Sequence, residues 1–149
     1  MGNNKILVAG LVGGIVSFLG GFLIWGIGLD GFAASQMATT AATNVSREDA
    51  DMVYWAVILG ALASGFMVAL IFGRWANIKT LKTGAIAGAI IGLLIGVNFN
   101  FIMFGTTQIT TLSLAAVDAI GYALLYALIG GSVGFMLGRG VPALEEAVA

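Results

Sequence analysis

The sequence predicts an all-α fold: a four-transmembrane-helix bundle with Gly-rich close helix packing and both termini cytoplasmic. Three observations carry that reading. First, of 149 residues, 60% are hydrophobic and only 9% charged, where a soluble domain carries about 25% charge. With a mean hydropathy of +1.06, the chain cannot build a surface that faces water all round. Second, four apolar runs, 6–29, 52–73, 83–104 and 114–138, are each long enough to cross a roughly 30 Å hydrocarbon layer as a helix of about 20 residues. Lipid offers backbone groups no partners, so such segments must be helical. Third, glycine recurs every fourth residue in the third run, at Gly84, Gly88, Gly92 and Gly96. Each interior glycine costs a helix about 0.5–1 kcal/mol relative to alanine. A regular row of them therefore needs a packing reason. Residues 1–149 read as one integral membrane domain.

The first span follows Lys5, and Ala33-Ala34-Ser35 lies beyond it, which invites a signal-peptide reading. Its apolar stretch is longer than the 7–15 residues of a signal core, so a retained span is expected. It carries Gly10-x-x-x-Gly14 and Ser17-x-x-x-Gly21. Residues 32–44 are small and polar, and either extend the first helix or form a loop. The second span opens at Ser46-Arg47-Glu48-Asp49, an S-x-x-D start with acids in the first turn. It carries Gly60-x-x-x-Ser64 and Ala61-x-x-x-Gly65.

The third and fourth spans are joined by the short, uncharged segment 105–113, which makes them antiparallel neighbours. Without a hydrophobic drive between helices in lipid, association rests on close contact that small residues permit. The fourth span answers the third with Gly130, Gly134 and Gly138. Pairing by depth sets Gly84 opposite Gly138, Gly88 opposite Gly134 and Gly92 opposite Gly130. Gly140 and Pro142 stop the last helix. Trp25, Tyr54 and Trp55 fall near one interface and Trp75 near the other, as an aromatic belt.

Charge sets the orientation. Lys5, Arg74, Lys79, Lys82 and Arg139 all fall on one side, and Asp30, Glu48, Asp49 and Asp51 on the other against a single Arg47. The positive-inside rule then places both termini in the cytoplasm, in a cell inner (plasma) membrane crossed several times.

The same depth pairing brings together a polar intramembrane cluster: Asn98, Asn100, Asp118 and Tyr122. Asp118 is the only acid or base within the four runs, and it shares a helix face with Tyr122 four residues on. Asn98 and Asn100 point roughly 200° apart, so one of the two is expected to join. Such a group serves either as a clamp between helices or as a solute or ion site.

The chain has no cysteine and no histidine, so thiol chemistry and the commonest general base and metal ligand are excluded. No cofactor, metal or catalytic residue is expected, and a net charge of −1 without a basic stripe argues against nucleic acid. The expected function is non-enzymatic: a packing or assembly subunit of a homo-oligomer or larger membrane complex, with the lipid bilayer and other subunits as partners. The alternative is a small ion or solute channel or transporter with an outer-leaflet polar site around Asp118 and Asn100.

The Gly84-Ala85-Ile86-Ala87-Gly88 run and the Asp118-x-x-x-Tyr122 pattern resemble small bacterial four-helix integral membrane proteins of uncharacterised function. That resemblance implies no activity. The stretch from Phe104 to Ser113 also looks like the Thr/Ser-rich segment of four-helix fluoride channels. This chain departs from them in its strong charge bias, in lacking an arginine inside helix one, and in placing its threonines between spans.

The orientation is testable by single cysteines in this cysteine-free chain. Thr40→Cys should react with an impermeant reagent only from outside the cell, and Ile78→Cys only after the membrane is opened. Labelling of both from the cytoplasm alone would refute the four-span topology.

Overall fold

The computed structural model describes residues 2–36, 47 and 49–139. Five helices account for most of them: α1 (Asn3–Gly28), α2 (Asp30–Gln36), α3 (Tyr54–Ala76), α4 (Leu81–Thr106) and α5 (Leu112–Gly138). All but α2 are long and apolar enough to cross a membrane. Each boundary lies within a turn of the expected one. Ser46 and Glu48 of the S-x-x-D start, the Gly140–Pro142 stop and residues 37–44 lie outside the described residues; Asp49 of that start opens a short 3-10 turn, Asp49–Asp51, and α3 begins beyond it at Tyr54.

The helix ends follow local chemistry. Thr80 and Thr111 are extended, and their hydroxyls accept from the Thr83 and Leu114 amides at 3.1 and 3.2 Å. These caps satisfy orphan N–H groups and start α4 and α5 slightly earlier than hydropathy alone suggests. Thr107 turns extended after α4, and its hydroxyl donates to the Met103 carbonyl at 2.7 Å. The last turns of α1 and α3 widen to π-type winding over Phe22–Gly28 and Ile71–Ala76. At the first, the Leu29 amide donates to the Ile24 carbonyl at 2.8 Å. Asn77 ends α3 in the left-handed region, φ 49°, a conformation asparagine tolerates better than most residues.

Helix α5 is central. It packs against α4 along its length and against α1, which packs in turn against α3. The order across the molecule is α3–α1–α5–α4, with a lesser α3–α5 contact. Val68 and Phe72 from α3 and Ile129, Val133 and Leu137 from α5 are fully buried, and Ile6 and Ala9 from α1 join them.

Helix α4 is different. The residues it buries are Gly84, Gly88, Gly92, Gly96 and Asn100. Ile86, Ile90, Leu94 and Ile102 are more than half exposed. A Cβ added to Gly88 would collide with the Tyr126 carbonyl oxygen and lie 3.1 Å from Gly130 Cα. At Gly96 it would meet Ala119 Cα at 2.8 Å. Backbone thus lies on backbone. The α1–α3 crossing is similar: a Cβ on Gly65 would meet the Gly10 oxygen at 2.5 Å and the Gly13 carbonyl carbon at 2.6 Å.

The register of α4 on α5 differs by about a turn from the depth pairing. Gly84 lies against Gly130 and Gly134 rather than Gly138, and Gly88 against Tyr126 and Gly130 rather than Gly134. The segment joining α3 to α4 explains the offset. Lys79 and Thr80 themselves occupy the space opposite Gly138 and Gly134, so α4 begins one turn further along.

One end of the molecule collects the positive charge. Lys5 donates to the Arg139 carbonyl at 3.0 Å, and Arg74 to the Asn3 side-chain oxygen at 3.0 Å. At the opposite end the Thr111 hydroxyl donates to Gln36 Oε1 at 3.1 Å, tying α2 to the start of α5.

Two alanine substitutions separate tight from open positions. Gly88→Ala should destabilise by about 1–3 kcal/mol, because its methyl meets a carbonyl that cannot move alone. Gly60→Ala, whose Cβ meets nothing within 4 Å, should be neutral or stabilising by up to about 1 kcal/mol. Unfolding in detergent micelles measures both. Equal effects would remove the backbone contact as the reason for glycine at position 88.

Candidate functional site

Helices α1 and α3 touch at Gly10, Gly13, Gly14 and Gly65, near the basic end. Toward the other end they part. The opening forms a cleft of about 690 Å³, walled by α1 from Ser17 to Gly26, by α3 from Tyr54 to Ser64, and floored by α5. Two of its wall glycines, Gly21 and Gly60, face open space, with nothing within 4 Å of an added Cβ.

The floor is a single stripe of α5. Asp118, Tyr122 and Tyr126 are spaced four apart and so share one face. The Trp25 indole N–H donates to Asp118 Oδ1. The Trp25 and Tyr122 rings meet edge to face, centroids 5.2 Å apart at 64°. The Tyr122 and Tyr126 rings lie near-parallel at 6.5 Å and 22°. Both are geometries that aromatic quadrupoles favour. Tyr126 then donates to Ser64 Oγ at 3.2 Å, and Ser64 to the Gly60 carbonyl at 3.1 Å. Polar contacts therefore cross the cleft floor from α1 through α5 to α3.

Backbone geometry makes this placement possible. Trp25 lies in the widened final turns of α1. Its ring edge rests over Gly121, where an added Cβ would meet Trp25 Cζ2 at 3.3 Å. A residue larger than glycine at 121 would press the indole away from Asp118.

Charge in the cleft is one-sided. Asp118 is half-buried, and none of the described lining residues is cationic. Its Oδ1 is engaged by an uncharged donor, the Trp25 indole N–H, rather than by a Lys or Arg. Among the described residues, no three His, Cys, Asp or Glu side chains gather closely enough to hold a metal.

The sequence-derived cluster divides. Asp118 and Tyr122 line the cleft together. Asn100 is buried on α4, and its amide donates to the Gly96 carbonyl of its own helix at 3.0 Å. Asn98 is exposed. Trp25, Tyr126 and Ser64 enter the site from outside that cluster. Trp25 reads in sequence as an interface residue, like Trp55 and Trp75, which are 71% and 77% exposed. Tyr126 had a legible signal, since it continues the Asp118–Tyr122 spacing by one more turn.

No protein family, curated protein or solved structure matches this chain. The site's geometry is therefore the ground for its function.

The Trp25–Asp118 bond is open to a double-mutant cycle. Asp118→Leu should weaken folding in micelles by about 0.6–2 kcal/mol, the range for interhelical hydrogen bonds in membrane proteins. Asp118→Asn keeps an acceptor oxygen and should cost little. Trp25→Phe combined with Asp118→Leu should be less than additive, because each change removes the same bond. Strict additivity would mean that the pair does not interact in solution.

Proposed function

We propose that this chain is a non-enzymatic, multi-pass membrane protein that binds a small solute in the cleft between α1 and α3, with Asp118 as its polar anchor. The observation that carries this reading is Asp118, the one acid or base of the four expected spans, lying on the floor of a roughly 690 Å³ opening among Trp25, Tyr122 and Tyr126. An ionisable residue at membrane depth is costly and is a functional candidate by default. A largely apolar pocket with a few convergent polar groups is the usual form of a small-molecule site. The absence of His and Cys from the whole chain, and of a second carboxylate beside Asp118 among the described lining residues, supports binding rather than bond-breaking chemistry.

On this reading the basic end faces the cytoplasm, as the positive-inside rule requires. The cleft then opens in the outer half of a plasma membrane. The glycine row of α4 is the device that holds α4 on α5: four thin contacts where a side chain would intervene.

A packing or assembly role is the second reading, and one observation favours it. Ser17-x-x-x-Gly21 and Gly60-x-x-x-Ser64 line the cleft with small residues, and small residues at this spacing admit a helix at close range. Another copy of the chain, or another membrane subunit, would fill the space.

Gly60→Cys separates the two readings. A solute cleft leaves the introduced thiol reactive toward a small, membrane-impermeant reagent from the outer side. An occupied subunit interface protects it and yields a disulfide cross-link between two copies at position 60, or a stable oligomer by native mass spectrometry. Protection with cross-linking would replace the solute site by the assembly role.

A further inference from the structure

Resting on the solute-cleft reading, we propose that the occupant is an organic cation with an apolar body, its charged group seated against Asp118 between the aromatic rings. Four features converge. Asp118 spends Oδ1 on the Trp25 N–H, and Oδ2 makes no hydrogen bond with the described residues. None of the described lining residues is cationic, so the carboxylate's charge calls for a mobile positive partner rather than a fixed one. A charge held among apolar groups is costly until it is paired. The wall around it is aromatic: Trp25, Tyr122 and Tyr126 on one side, Phe18, Phe22 and Tyr54 on the others. Aromatic rings attract cations, and the attraction grows as water is excluded. The volume of about 690 Å³ falls within the roughly 300–1,000 Å³ of small-molecule sites.

The same features exclude other occupants. A calcium ion takes about 6–8 oxygen ligands, and the cleft offers one carboxylate with hydroxyls from serine and tyrosine. An anion would face Asp118 with no cation to hold it. A neutral apolar molecule would leave the carboxylate unpaired. The positive group belongs either to a free lipophilic cation or to the ammonium headgroup of a membrane lipid.

The full-length protein in dodecyl maltoside, titrated with tetraphenylphosphonium by calorimetry, tests this. Asp118→Asn and Gly60→Trp are titrated beside it. The first keeps an acceptor for the Trp25 indole. The second fills open space, so both are expected to melt like the parent. The expected result is saturable binding that weakens about tenfold or more in each variant, with no binding of tetraphenylborate, an anion of the same shape. Nanodiscs then assign the source. Weaker phosphonium binding in phosphatidylcholine than in an uncharged glycolipid, which has the same zero net charge but no ammonium group, indicates a headgroup competitor, and equal binding indicates a free cation.

Three results would overturn the inference: no saturable phosphonium binding, equal affinity in Asp118→Asn, or comparable affinity for tetraphenylborate. Binding lost in Gly60→Trp but kept in Asp118→Asn would retain the cleft and discard the cation. An unreactive thiol in Gly60→Cys would discard the cleft itself.

Discussion

Helices that are apolar almost all round gain little from hiding one leucine rather than another. The pattern in this molecule is proximity: its helices lie closest where backbone meets backbone, the arrangement that small residues permit. Helix α4 is the extreme case, burying four glycines and one asparagine and leaving most of its isoleucines and leucines outside, with Ile91 and Ile95 partly buried against the core. Dispersion weakens steeply with separation, so a seam without intervening side chains brings many weakly attracting atoms into range. The cost is the intrinsic reluctance of glycine to be helical.

That constraint also places the cleft. Helices α1 and α3 bring backbone against backbone where Gly10, Gly13 and Gly14 meet Gly65. Beyond that crossing, Phe18, Phe22 and Trp25 on α1 and Tyr54 and Val57 on α3 line the cleft together with the small residues Ser17, Gly21, Gly60 and Ser64. The central helix α5 supplies the floor of the cleft with one face and the seam to α4 with another. Packing and site share a single scaffold helix.

The sequence made the four long apolar helices legible because length and apolarity report directly on the solvent a helix suits. The face of α4 was legible for a related reason: a glycine every fourth residue is too costly to be incidental. Depth was harder to read. The one-turn offset between α4 and α5 comes from Lys79 and Thr80 packing opposite the end of α5, a contact that hydropathy does not encode. Asn100 misled for a simpler reason. A buried amide can satisfy itself on the carbonyl one turn back in its own helix, and no pattern in the chain distinguishes that from a bond across to a neighbour. Trp25 carried no mark separating it from Trp55 and Trp75. Only the fold shows that its N–H has a carboxylate to meet.

The α4–α5 seam has a consequence in the language of inheritance. Every amino acid other than glycine carries at least a Cβ, so any missense change at Gly88 adds an atom where the Tyr126 carbonyl already stands. No conservative replacement exists there. The outward isoleucines and leucines of α4 can drift among apolar side chains, while the glycines beneath them have no acceptable neighbour one mutation away. A lineage carrying this fold would accumulate variation on the exposed face of α4 and keep its inner stripe fixed.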